Sequence, residues 1–254
     1  MANPVIISSY EYQHRLQIQD KDQTIKLRSF IPSLDIALDG FEVGELIVLS
    51  GPTKSGKSLF FQTLTNNFIT ESQIYSLWFT YELPPRQLFN RFPALPLFYL
   101  PEELQGHSLS WIGECIKAAK EKVECKAVFI DHLHYLLDLG RMKNTSLEIG
   151  AVIRGLKQLA IKYQVVIFLA CHMKKTPNDR EPNYDDIRDS SFVAQESDVT
   201  MMLWRCKEKN EYTNTAKLKI ETSRRTGIFG KKIPLEKKEG LLYERIIASP
   251  ISTV

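Results

Sequence analysis

Eight consecutive residues, Gly51, Pro52, Thr53, Lys54, Ser55, Gly56, Lys57 and Ser58, set two glycines, a lysine and a hydroxyl at the intervals of a phosphate cradle. Glycines at 51 and 56 let the backbone fold tightly with successive N–H groups turned inward. A helix that opens there aims the positive end of its dipole at the same point. Lys57 has the reach for the outer phosphates of a nucleoside triphosphate, and the Ser58 hydroxyl suits a Mg2+ ion beside them. A plain Gly/Ser/Lys surface turn does not explain why an apolar run, Leu46 to Leu49, precedes the segment and a helix-like run, Leu59 to Phe68, follows it.

Three more residues could complete such a site. Asp131 ends the apolar run Ala127-Val128-Phe129-Ile130. An acid at the carboxyl end of a buried parallel strand lies on the ligand edge of the sheet. By itself it reads as a strand-end cap, but with a phosphate loop upstream it reads as a Mg2+ ligand acting through water. Glu82 follows the run Ile74 to Phe79 and can orient a water for in-line attack. Position alone divides Glu82 evenly between that role and a helix-start acid beside Pro84 and Pro85. His172 ends Ala170-Cys171-His172, where it can contact a terminal phosphate; a lone histidine is more often structural.

These residues need a scaffold that brings strand ends together. Strand-like runs lie at 45–50, 74–79, 97–100, 127–130 and 165–171, with helical runs at 57–70, 85–92, 109–123 and 145–163 between them. That alternation predicts an α/β domain with a mostly parallel sheet flanked by helices. Four short segments, 198–205, 215–222, 230–236 and 241–247, predict antiparallel edge strands at the C-terminal end. Ser33 to Leu38 reads as a short helix capped by Ser33 and ended by Gly40. Residues 1–30 read as an arm, and 31–254 as one ATPase domain.

Composition is that of an ordinary globular protein. The 254 residues are 43% apolar and 25% charged, with a net charge of +3 that permits a polyanion partner without requiring one. No apolar run approaches a membrane span, and the N-terminus lacks a secretion pattern, so a cytoplasmic protein is expected. The four cysteines, at 115, 125, 171 and 206, contain no CxxC pair and read as reduced core residues.

Several segments, in order, resemble the motor domain of DnaB-type ring helicases, including the phage primase-helicase branch, on a RecA-like P-loop core. SLDIALDGFEVGELIVLSGPTKSGKS resembles the family's lead-in to its phosphate loop, and WFTYELPPRQL its catalytic-glutamate segment, which maps to Glu82. VFIDHLHYL resembles the magnesium-aspartate strand, mapping to Asp131, and FLACHMKK the sensor strand, mapping to His172. DDIRDSSFVAQESDVTMMLWR is similar to the segment beside that strand, and the likeness covers about residues 30–235. The family's last motif is a basic pair reaching into a neighbouring subunit. Here Thr222 or Ser223 replaces its lysine, and either Arg224 or Arg225 fits the finger, Arg225 being preferred for its spacing from Gly227. The family usually carries a domain before the motor, whereas only about 30 residues stand there in this sequence.

The resemblance implies an ATP- and Mg2+-dependent DNA helicase that moves along single-stranded DNA during replication. It also implies a homo-oligomeric ring, a hexamer by family habit, with replication partners such as a primase at the replisome. Loops after the Asp131 and His172 strands would then face the channel, offering Arg141 and Lys143, and Lys174, Lys175 and Arg180, to phosphates. Tyr184 is the one candidate stacking platform there, and the pairs Lys231-Lys232 and Lys237-Lys238 are possible extensions of the track. Two alternatives remain open: a RecA-like recombination or regulatory ATPase that binds DNA or protein without unwinding, and an accessory subunit of a mixed ring.

Overall fold

A strand covered by helices on both faces has no solvent side, so its apolar run shows no polar alternation. Five such runs build the centre of this protein. The computed structural model describes residues 7–18, 25–106, 108–137, 145–173, 181–187, 190–209 and 211–246. In chain order the elements are α1 (Ser9–Ile18), β1 (Lys26–Leu27), α2 (Pro32–Leu38), β2 (Phe41–Glu42), β3 (Leu46–Gly51), α3 (Lys57–Ser72), β4 (Ser76–Thr80), α4 (Pro85–Phe89), α5 (Leu109–Val123) and β5 (Ala127–Asp131). They continue with α6 (Thr145–Tyr163), β6 (Val166–His172), α7 (Ser190–Glu196), β7 (Val199–Glu208), β8 (Glu211–Ser223), β9 (Lys231–Lys238) and β10 (Leu241–Glu244). Short 3-10 turns occupy Leu133–Leu136 and Tyr184–Asp186.

The described residues form an eight-stranded sheet ordered β10-β9-β8-β7-β3-β6-β5-β4, beside a two-stranded β1–β2 pair. Strands β3 to β7 run parallel, and β8, β9 and β10 extend the sheet antiparallel from β7. Alternation returns on β8: Ala216, Leu218 and Ile220 are buried while Lys217 and Lys219 between them are not. Two cores sandwich the sheet. Ile47 and Leu49 of β3 and Phe168 of β6 face one, with Phe60, Phe61, Leu64 and Phe68 of α3. Leu46, Val48, Ile167 and Leu169 face the other, with Ile112 and Ile116 of α5 and Ile153 and Leu156 of α6. The Phe129 and Phe168 rings stack at 4.8 Å, a pair that adds about 0.5–1.5 kcal/mol beyond its burial. Burial pushes the Cys125 and Cys171 thiols up to about 12, so both are un-ionised at neutral pH.

Four local expectations are corrected. Residues 97–100 form a single bridge, Leu77 to Tyr99, and no strand, since Pro93, Pro96 and Pro101 interrupt the segment and remove backbone donors. Helix α4 stops at Phe89, short of residue 92. The N-cap of α2 is Ile31, and Pro32 opens the helix; the Ser33 backbone N–H and hydroxyl donate instead to the Glu244 carboxylate. The supposed arm contains helix α1, and its last residues belong to the body: Leu27 is fully buried and β1 pairs with β2.

Gly51 ends β3 where β7 passes closest. A Cβ there would lie 2.1 Å from the Leu203 carbonyl oxygen, a backbone atom of the adjoining strand that cannot move without breaking the ladder. Gly51→Ala is therefore expected to cost about 3 kcal/mol and lower the thermal midpoint by roughly 6–12 °C. An unchanged midpoint by calorimetry would refute this close approach.

Candidate active site

The strand order explains how residues far apart in sequence meet. β3 lies next to β6, β6 next to β5, and β5 next to β4, so the carboxyl ends of all four lie along one rim. Gly51 stands opposite His172, and Thr80 opposite Asp131. Beyond β3 the chain turns through Lys54 and Gly56, both with left-handed backbone (φ 63° and 102°), and starts α3 at Lys57. The Lys57 ammonium is buried and donates to the carbonyls of Gly51 at 2.9 Å and Pro52 at 3.1 Å. Burial holds its pKa below the usual lysine value, against the pull of Asp131 and Glu82.

Ser58, one residue further, donates its hydroxyl to Asp131 Oδ2 at 2.6 Å. Two oxygen ligands, from α3 and the end of β5, are thus already paired, which is the donor set of a hard cation. The Asp131 carbonyl also accepts N–H bonds from Tyr81 at 3.0 Å and Glu82 at 3.2 Å. This pins the turn after β4 to the end of β5 and brings Glu82 to the rim. Glu82 Oε2 lies 3.3 Å from His132 Nδ1, and the His132 ring is 3.9 Å, centroid to centroid, from that of His172. Burial lowers the His132 pKa, opposed chiefly by Glu82.

The rim fits a magnesium triphosphate on three counts. Ser55 Oγ is buried in the loop and has no hydrogen-bond partner among the described residues. Gly51 and Gly56 add no side chain to the cradle, and Gly56 takes a left-handed backbone there (φ 102°). Ser58 and Asp131 supply the oxygens. A cleft beside the loop is lined by Lys54, Ser55, Gly56, Leu59, Arg205 and Thr215 among others.

Burial raises the Asp131 pKa above its ordinary 3.8, the Ser58 hydrogen bond opposing it. A carboxylate with a raised folded pKa stabilises less as pH climbs from the unfolded to the folded value, and the loss persists above. At pH 7 the buried charge is therefore a net cost. Asp131→Asn keeps an oxygen for Ser58 and removes the charge, so it is expected to stabilise the ligand-free protein by about 1 kcal/mol while weakening Mg2+ binding. Denaturant midpoints at pH 7 check this; a lower midpoint would reverse the argument. The gain should vanish below the ordinary value of 3.8.

Of the sequence-predicted residues, Lys57, Ser58, Glu82, Asp131 and His172 come together. Arg224 and Arg225 do not join them. Ser223 pairs with Val199 at the start of β7, so both arginines lie on the opposite, amino-terminal rim. Arg225 is held inside its own chain by Glu45 at 2.9 Å and Glu42 at 3.3 Å, and it donates to the carbonyls of Leu38 and Gly40. The Arg224 guanidinium donates to the Gln195 carbonyl. Arg141, Lys143, Lys174, Lys175 and Arg180 lie outside the described residues. Tyr184, the candidate stacking platform, is partly buried and packs against the second core. Lys232 pairs with Glu181 at 2.5 Å and Lys238 with Glu236 at 3.0 Å, so part of that basic charge is matched locally. The sequence reading missed His132, although it directly follows Asp131, missed Arg205, although it ends the segment from Asp185, and missed Thr215, which no motif marks.

Comparison with known proteins agrees with this architecture. A family model described as the DnaB-like helicase C terminal domain matches residues 99–238, more than half of the chain. The replicative DNA helicase DnaB of Rickettsia prowazekii (strain Madrid E) is 21% identical over 231 residues, covering 74% of this chain and 48% of that protein. The replicative DNA helicase DnaC of Bacillus subtilis (strain 168) is 23% identical, covering 79% and 52%. The chain thus spans about half the length of the curated relatives it matches. Among solved structures, the ATPase domain of G40P has a TM-score of 0.77 at 17% identity, covering 96% of this chain and all of that one. A DnaB-like replicative helicase, solved in a study of its interactions with primase, has a TM-score of 0.75 at 17% identity, covering 95% and 67%. The fold is the expected RecA-like α/β P-loop domain with antiparallel edge strands, and the chain belongs to the DnaB-like helicase C-terminal domain family.

Proposed function

We propose that this chain is the ATP-driven motor of a replicative DNA helicase, translocating on single-stranded DNA and unwinding duplex. The observation that carries the reading is the direct pairing of Ser58 with Asp131 beside Lys57, with Glu82 and His172 on the same rim. ATP is the substrate, its phosphates gripped by the loop from Gly51 to Ser58. Mg2+, held by Ser58 and, through water, by Asp131, would neutralise charge on the outer phosphates. Glu82, half exposed at the rim, orients the attacking water and takes its proton. His172, level with Gly51 on the neighbouring strand, reads the terminal phosphate and passes its loss to the chain beyond Met173.

Arg224 or Arg225, on the far rim, would serve a neighbouring copy, so turnover would need a homo-oligomeric ring, a hexamer by family habit. Arg225, preferred for its spacing from Gly227, must leave Glu45 and Glu42 to do so. Lys174, Lys175 and Arg180 follow β6, and Arg141 and Lys143 follow β5. Their chain positions support a phosphate track beyond the same rim. A primase and other replisome proteins are the proposed partners, and the cytoplasm the proposed location. Among the described residues no helix is long and apolar enough to cross a membrane.

Strand displacement on a forked duplex tests this. ATP- and Mg2+-dependent release of the labelled strand is expected. DNA binding and turnover without displacement would instead support a recombination or regulatory ATPase, a reading favoured by the intrachain capture of Arg225 and the missing lysine at 222 and 223.

A further inference from the structure

Glu82, His132 and His172 come from three elements: the turn after β4, the residue after β5, and the end of β6. A carboxylate oxygen and one nitrogen from each imidazole all lie within 4.8 Å of one another. Two ligands on a tetrahedral zinc, each bonded at about 2.0–2.2 Å, stand about 3.4 Å apart. Glu82 Oε2 and His132 Nδ1 already have that spacing at 3.3 Å, so mainly the His172 ring must close in, by at most about 1.4 Å. The cluster is rooted in the core at His132, 8% exposed, and open at Glu82, 47% exposed. An ion therefore has a way in and a fourth position left for water.

We propose that Glu82, His132 and His172 form a second cation site that takes Zn2+ or a similar borderline-soft ion. It is chemically distinct from the Ser58–Asp131 pair. Two imidazoles and one carboxylate are a zinc donor set, whereas Mg2+ dehydrates reluctantly and selects oxygen. An ion bound there occupies the Glu82 carboxylate and leaves the phosphate loop untouched. Zn2+ thus blocks hydrolysis while nucleotide still binds, a consequence that rests on the reading of Glu82 as the base. The intervals of 50 and 40 residues between the ligands match no linear zinc motif, which is why only the fold reveals the site.

Cobalt(II) is the probe, because four-coordinate Co2+ is coloured. The full chain, free of nucleotide and Mg2+, is titrated with CoCl2 and followed in the visible. One equivalent should give the intense d–d bands of a four-coordinate centre, and Zn2+ should abolish them. Glu82→Gln, His132→Asn and His172→Gln should each weaken Co2+ binding by at least about tenfold. Glu82→Gln alters a half-exposed side chain, so it keeps the test valid if a histidine variant misfolds. Absence of four-coordinate bands, or unchanged affinity in Glu82→Gln, overturns the site. In a separate arm, micromolar Zn2+ should suppress Mg2+-supported ATP turnover of the wild type without displacing bound nucleotide. Unimpeded turnover with cobalt bound overturns the inhibitory role. No turnover even without zinc would count against the motor reading, and the cobalt titration still decides the site.

Discussion

Replacing Lys57 with alanine is expected to lower ATP turnover by at least about 10²–10³-fold, the scale for losing one charge-stabilising donor in a water-poor site. The Lys57 ammonium is buried and rests on the Gly51 and Pro52 carbonyls of its own loop. Lys57 is also the first residue of α3, beside the loop. Phosphate oxygens would replace these carbonyls as its partners and supply the countercharge that burial denies it. The loss should therefore appear in both nucleotide affinity and turnover. Lys57→Arg should not restore it, because a planar guanidinium cannot take the place of a compact ammonium between two carbonyls. Since burial already disfavours the charged lysine, its removal should leave the thermal midpoint nearly unchanged. Steady-state hydrolysis with a parallel melt checks both claims. Full turnover in Lys57→Ala would end the phosphate-cradle interpretation.

Glu82→Gln is expected to separate binding from chemistry. The amide keeps the size of the side chain and a hydrogen bond to His132, but it cannot accept a proton. Loss of a positioned general base costs about 10²–10⁴-fold in kcat. Nucleotide affinity should change by less than about threefold, since the Glu82 carboxylate bonds His132 and the link to Asp131 is through the Glu82 backbone N–H, which the substitution keeps. The side chain is 47% exposed, so stability should stay within about 0.5 kcal/mol. Fluorescent-nucleotide titration and single-turnover hydrolysis measure the two halves. Normal hydrolysis in this variant would move the base elsewhere, and His132, 3.3 Å away, would be the first residue to examine.

Much of this was legible before any coordinates. The turn from Gly51 to Ser58 announces itself because its glycines, lysine and hydroxyl lie within eight residues of the chain. The rim position of Asp131 was legible because an unbroken apolar run ending in an acid reads as a parallel strand whose last residue lies at the sheet edge. Helix α5 matches its expected range, 109–123, because Ser108 caps it: the hydroxyl accepts the Trp111 N–H at 3.1 Å. Failures came where local signals met long-range ones. Leu97 to Leu100 are apolar enough for a strand, yet the flanking prolines allow Tyr99 alone to bond β4. Ser33 is a good cap residue, yet Glu244, from the last strand of the chain, claims its hydroxyl and N–H.

Contiguous chemistry, then, belongs to the chain as written: the cradle of Gly51 to Ser58, the apolar strands and the acids that end them follow from neighbours a few bonds apart. The strand order belongs to the folded molecule. By inserting β6 between β3 and β5 it brings His172 against His132 and gives Glu82 its partner. By reversing β8 it carries Arg224 and Arg225 to the far rim, where Glu45 and Glu42 hold Arg225. Side chains 40 to 50 residues apart acquire a distance only when crossover connections have set which strands lie side by side, and no local preference encodes that.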